Sequence, residues 1–181
     1  MRNVRYVSAV VRLATLALVA GCAVIESPPV PALDTTRPWA LLPVQNHSGT
    51  PQAGERAEVL LAAMLHQRGL SRLEVFPATA GEDALPELDE RRRYAQALEW
   101  ARRRGPGYAM TGNVAEWRYK TGPDNEPAVG LTLQIIEIPS GEVLWSAAGS
   151  RSGWGRESLS GTAQKLLRDL LANVRLNARS P

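Results

Sequence analysis

The chain has 181 residues, 44% of them hydrophobic and 22% charged, with 21 basic residues against 18 acidic and one cysteine. A single cysteine excludes an internal disulfide, and the mixed composition excludes a collagen-like or wholly disordered chain. The basic excess lies entirely in the leader, at Arg2, Arg5 and Arg12; without it the chain carries 18 charges of each sign, and the compositional case for nucleic-acid binding goes with it.

The leader comes first in chain order. Its three arginines precede the apolar run Leu13 to Ala20, and Gly21-Cys22 closes it. A basic leader, a short apolar core and small residues at the cut define an export signal, and the run is shorter than the roughly 20 residues a transmembrane helix needs. Leu18-Val19-Ala20-Gly21-Cys22 resembles the bacterial lipobox, with Val19 where Leu is usual. Residues 1–21 are therefore expected to be removed and Cys22 to carry the lipid. Acylation also disposes of an unpaired thiol in an oxidising compartment. Ala23 follows, where an Asp would resemble an inner-membrane retention signal, so the expected location is the outer membrane, facing the periplasm.

Residues 22–36, with Pro28, Pro29 and Pro31, have no apolar periodicity and read as an extended tether. Residues 37–181 then form one periplasmic domain, long enough for a real core. Trp39 to Val44 reads as a buried strand, and Gln45 to Pro51 as a loop. Ala57, Leu60, Leu61, Met64 and Leu65 recur at helical spacing until Gly69. Leu73 to Phe76 is a short strand. Leu88 to Arg104 is a second helix, with Tyr94, Ala97, Leu98 and Ala101 on one face.

Tyr108 to Lys120, Val129 to Ile138 and Val143 to Ser150 are three strands. They are joined by the loop Gly122 to Pro127 and the turn Pro139-Ser140-Gly141, which short connections make an antiparallel meander. Leu159 to Asn177 is a closing helix striped by Ala163, Leu166, Leu167, Leu170, Leu171 and Val174. The order β-α-β-α-β-β-β-α implies an α+β (α/β sandwich) fold: a mixed sheet of about five strands with helices packed on it.

No constellation for catalysis stands out. There is no Gly-x-Ser-x-Gly, HExxH, Cys-His cluster, Walker loop or GxGxxG. His47 falls in a loop and His66 in a helix, and no spacing links Glu99 to Glu116. No catalytic residue, cofactor or metal is expected, and the chain reads as a non-enzyme. Arg91-Arg92-Arg93 and Arg102-Arg103-Arg104 lie about three turns apart on the second helix and read as a solvated face, balanced by nearby acids, rather than an anion patch; part of the run is a candidate to pair with a neighbouring copy.

The tryptophans say more. Trp39, Trp117 and Trp145 lie in strands, as core or sheet-face residues, and Trp100 lies on a helix. Trp154 sits in Ser152-Gly153-Trp154-Gly155-Arg156, without apolar neighbours. Tryptophan suits membrane interfaces and protein contacts because it is apolar at one end and hydrogen-bonds at the other, so Trp154 is expected to meet a membrane or a partner.

Three stretches resemble one family. Trp39 to Arg56 (Trp-Ala-Leu-Leu-Pro-Val-Gln-Asn-His-Ser-Gly-Thr-Pro-Gln-Ala-Gly-Glu-Arg), Tyr108 to Trp117, and Ser152-Gly153-Trp154 resemble the PelC family, outer-membrane lipoproteins of Pel exopolysaccharide export. The first stretch alone also resembles the lipoproteins LpoB and CsgG. The PelC resemblance implies a non-catalytic homo-oligomeric ring, proposed as a dodecamer, at the periplasmic mouth of the β-barrel porin PelB. There an acidic funnel would guide a cationic secreted polysaccharide. Asp124 and Glu126, in a loop with Lys120 as the one nearby base, are the candidates for the acidic side; Trp154 would meet outer-membrane lipid or the porin. An LpoB-like activator of a peptidoglycan synthase is the alternative, but a tether of 15 residues reaches at most about 50 Å, short for crossing a cell-wall mesh. A CsgG-like secretion component and an enzyme acting on periplasmic glycan are further alternatives; the last lacks any visible catalytic cleft.

Overall fold

In a computed structural model the described residues are 23–31, 33–77, 89–122, 124–154, 156–174 and 176–177. Cys22 and the leader lie outside them. Among the described residues no helix is long and apolar enough to cross a membrane.

The elements in order are β1 (Ala23–Glu26), β2 (Leu33–Asp34), β3 (Trp39–Asn46), α1 (Ala53–Gln67), β4 (Leu73–Val75), α2 (Glu90–Arg104), β5 (Tyr108–Tyr119), β6 (Pro127–Glu137), β7 (Val143–Ser152), α3 (Leu159–Leu170), a 3₁₀ turn (Leu171–Asn173) and β8 (Leu176–Asn177). Six strands form one mixed sheet in the order β1-β7-β6-β5-β3-β4, and β2 pairs β8 apart from it. β3 runs parallel to both β4 and β5; β5, β6, β7 and β1 are successively antiparallel. The α+β class and the meander follow the sequence pattern, and the sheet has one strand more than expected.

Two apolar layers flank the sheet. On one face α1 and α3 cover Leu41, Met110, Trp117, Val129, Leu131, Leu133, Ile135 and Trp145. On the other, α2 covers Ala40, Leu42, Ala109 and Ile136. The alternation of Val129, Leu131, Leu133 and Ile135 puts all four on the first face, as period-2 geometry requires. Trp39, Trp117 and Trp145 are buried, whereas Trp100 is half-buried and stands edge-on to Phe76.

Asp89 caps α2 through Arg91 N and Arg92 N, and Gly105, at φ 68°, ends it in the left-handed conformation. Ser158 caps α3 through Gly161 N. α3 stops at Leu170, seven residues short of the expected end at Asn177. The apolar stripe does continue through Leu171 and Val174, but the backbone turns there. Leu176 pairs with Leu33, and Asn173 Nδ2 donates to Ser27 O at 2.9 Å.

The segment read as a tether is extended, yet in the described residues it is hydrogen-bonded to the domain. Ala23–Glu26 supply the additional strand, at the edge of the sheet. Ser27 Oγ donates to Leu170 O at 3.0 Å, and Trp145 Nε1 donates to Pro28 O at 3.0 Å. Prolines 28, 29 and 31 have no N–H and could not continue the ladder. Ala23–Glu26, ahead of them, keep their N–H groups and pair along one side with β7, to which alternate residues of an edge strand can donate. Weak apolar periodicity, the basis of the tether reading, does not register an edge strand exposed on both faces.

Candidate functional site

Strand register gathers the candidate residues at one end of the sheet. β1 is antiparallel to β7 with Ala23 opposite Arg151, so the residue after Cys22 lies beside the end of β7. Trp154 follows β7 by two residues. Ala128 pairs with Ser152 and Tyr119 with Pro127, so the β5–β6 loop that carries Asp124 and Glu126 leaves the sheet at the same end.

Trp154 is 57% exposed, the most exposed aromatic side chain among the described residues. Gly153 before it is buried, and its N–H donates to Pro127 O at 2.8 Å. Glu157 N donates to Trp154 O at 2.8 Å, closing a turn that leads into α3. The neighbouring surface is amphipathic. Tyr119 is 43% exposed, and Lys120 Nζ donates to Ser152 Oγ at 2.6 Å. Arg151 pairs with Asp169 at 2.7 Å.

Asp124 is exposed. Glu126 is half-buried and lies 3.8 Å from Lys120 Nζ, the base that the sequence also puts beside it. The loop is closed by Lys120 N donating to Glu126 O at 2.7 Å, with Asn125 at φ 45°. The geometry therefore brings Trp154, the two acids and the chain leading from Cys22 to a common surface.

The loop after β3 has a local explanation. Asn46 Oδ1 accepts from Ser48 N at 3.1 Å and Ser48 Oγ at 2.7 Å, an Asx turn. Thr50 Oγ1 donates to Trp117 O. The Asn-x-Ser-Gly-Thr residues thus shape the connection from β3 to α1. Gly54, in the first turn of α1, lies against the Val44 carbonyl, where a Cβ has no room.

The arginine runs divide. Arg93 is 5% exposed, and its guanidinium donates to both oxygens of Glu58, at 2.7 and 2.8 Å. Glu58 Oε1 also accepts from Val44 N at 2.9 Å. This corrects the reading of the first run as wholly solvated: Arg93 points inward and ties α2 to α1 and β3. The available signal was Glu58 on the inner side of the Ala57–Leu61 stripe, a charge on an apolar face. Arg102 and Arg104 are exposed and pair with Glu99 and Glu74 at 2.6 and 3.5 Å. Glu116 pairs with Arg118 at 2.9 Å. Glu99 and Glu116 each pair within their own element, on α2 and β5. His66 Nδ1 lies 3.0 Å from Leu70 O, and His47 is exposed. Among the described residues no group of three or more His, Cys, Asp or Glu could hold a metal ion.

No protein-family model and no curated protein matches the chain. Solved structures do. A PelC dodecamer from Paraburkholderia phytofirmans is 35% identical, with a TM-score of 0.72, over 86% of this chain and 99% of that one. The chain belongs to the PelC family. A point variant of the same PelC, in another crystal form and also a dodecamer, is 33% identical over 86% of this chain and all of that one, with a TM-score of 0.70. The lipoprotein GNA1162 from Neisseria meningitidis shares the fold at 18% identity and a TM-score of 0.51, over 80% of this chain and 98% of that one. The three stretches that resemble PelC in sequence are here β3 with its loop and the start of α1, most of β5, and the β7–Trp154 corner. Two residues at this PelC end were not singled out by sequence reasoning: Tyr119, which looks like any strand residue, and Glu157, a lone acid after Trp154.

Proposed function

We propose that this protein is a non-catalytic outer-membrane lipoprotein of Pel-like exopolysaccharide export. It assembles as a homo-oligomeric ring that guides a cationic polymer to a β-barrel porin. The observation that carries this reading is the 35% identity, over 86% of this chain and 99% of the other, to a PelC that is a dodecamer. Cys22 bears the lipid, and the domain faces the periplasm.

The sheet register supports an orientation. With Ala23 opposite Arg151, a lipid on Cys22 leaves the domain beside Trp154. The exposed Trp154 ring and the Tyr119 phenol then meet headgroups or porin, where amphipathic aromatics are favoured. Asp124 and Glu126, on the neighbouring loop, line the membrane-proximal part of the polymer path.

The decisive experiment complements a strain lacking the gene with variants of the full chain. Cys22→Ser should abolish palmitate labelling and export. Trp154→Ala should lower export and membrane association while moving the melting temperature by about 1–2 °C, because exposed substitutions cost roughly 0.5 kcal/mol. Normal export by both variants, or a monomeric mass in membrane extracts, would overturn the reading.

A further inference from the structure

Glu157 is not used by the reading above, yet it is the most enclosed acid at this end of the molecule, its side chain 16% exposed. It follows Trp154 by three residues and precedes the cap of α3. Its backbone N–H donates to Trp154 O at 2.8 Å. Its carboxylate turns back under the loop, with Oε1 2.9 Å from Lys165 Nζ on α3. Lys165 foremost holds the carboxyl below the usual carboxylate range, against the opposing effect of burial.

Gly153 completes the arrangement. A Cβ there would stand 2.5 Å from Thr162 Oγ1, 2.8 Å from Glu157 Oε2 and 2.9 Å from Pro127 Cγ. The backbone before Trp154 therefore rests directly on the carboxylate and on α3. Neither Glu157 Oε1 nor the buried Thr162 Oγ1 makes a well-directed hydrogen bond among the described residues, so the nearby ammonium is the main compensation for the charge.

We infer that Glu157 is a positioning residue for Trp154: together with Lys165, Thr162 and Gly153 it clamps the corner after β7 onto α3 and fixes the direction in which the exposed indole projects. The clamp answers a physical need. An exposed side chain on a glycine-flanked loop loses conformational freedom when it docks, and a corner already held loses less. The inference rests on the proposed membrane or porin contact for its biological use, but the clamp itself is a property of the fold.

The test uses full-length protein in detergent micelles, labelled with 5-fluorotryptophan, with the Trp154 ¹⁹F resonance assigned through Trp154→Phe. Glu157→Ala should sharpen that resonance and shift it toward the free-indole position, leaving those of Trp39 and Trp145 in place. Lys165→Ala should do the same more weakly, and it keeps the test open if Glu157→Ala does not fold. Glu157→Gln, which keeps shape but not charge, should fall between wild type and Glu157→Ala. In vesicles containing brominated phosphatidylcholine, Glu157→Ala should lose at least half of the Trp154-dependent fluorescence quenching. An unmoved Trp154 resonance in both the Glu157 and Lys165 alanine variants would overturn the clamp. A resonance that moves as expected, in a wild-type protein showing no Trp154-dependent quenching, would uphold the clamp and sink the lipid contact instead.

Discussion

Arg93 and Glu58 show how far one residue's meaning can depart from its neighbours'. Arg91, Arg92 and Arg93 are chemically identical in sequence, but helical rotation turns only the third inward. There it meets a carboxylate whose side chain is 11% exposed, while its own is 6% exposed. A pair this enclosed costs desolvation on both sides, and its net worth against a well-packed apolar pair is small. Breaking it is another matter, because the survivor is left charged and unpaired. Arg93→Ala should therefore destabilise the domain by about 3–5 kcal/mol, measured by urea unfolding. Arg91→Ala, on the exposed face, should stay within about 0.5 kcal/mol. Equal effects from the two substitutions would contradict the buried geometry.

At the scale of elements, the parts of the fold that strong periodicity dictates were legible. The stripe Ala163–Leu166–Leu167–Leu170 and the alternation along β6 each admit one reading, because a helix or strand must turn those residues to one side. β1 was not legible. Its four residues are all exposed, so no burial pattern marks them, and their pairing depends on the vacant edge of β7 elsewhere in the chain. The antiparallel meander by itself puts the Asp124–Glu126 loop and the end of β7 at one end of the sheet; what the sequence does not show is the register, Ala128 opposite Ser152, that sets how near Trp154 comes to that loop.

Two predictions belong to elements. Gly54→Ala should push α1 off β3, since the added Cβ meets the Val44 carbonyl; overpacking of this kind costs about 1–3 kcal/mol, read as a lowered unfolding midpoint. An eight-residue Gly-Ser insertion between Cys22 and Ala23 leaves β1 intact but adds a flexible link of about 15 Å. Lipid quenching of Trp154 should then fall while the melting temperature stays unchanged. Undiminished quenching would mean that the short link to the lipid does not help hold the domain against the bilayer.

At the scale of the whole molecule, a chain with equal numbers of acids and bases after its leader can present an acidic path only by segregating charge. Much of the charge is already neutralised locally: Arg93 with Glu58, Arg151 with Asp169, Lys165 with Glu157, Arg102 with Glu99. Asp124 has no ion pair among those the described residues form within one chain, and Glu126 is held loosely by Lys120 at 3.8 Å. A ring would bring the copies of this loop together, so that a charge too weak to steer a polymer in one copy is repeated around the assembly. The same repetition would strengthen the proposed membrane attachment, because once one copy is seated the others act at high effective concentration. Asp124→Asn combined with Glu126→Gln should therefore leave the oligomer mass and the melting temperature unchanged, lower polymer export severalfold, and make what export remains less sensitive to salt. Native mass spectrometry of detergent-extracted protein and quantification of secreted polymer read the two arms separately. Full export by the double variant in an intact ring would remove the acidic role from this loop and leave it as a connector beside Trp154.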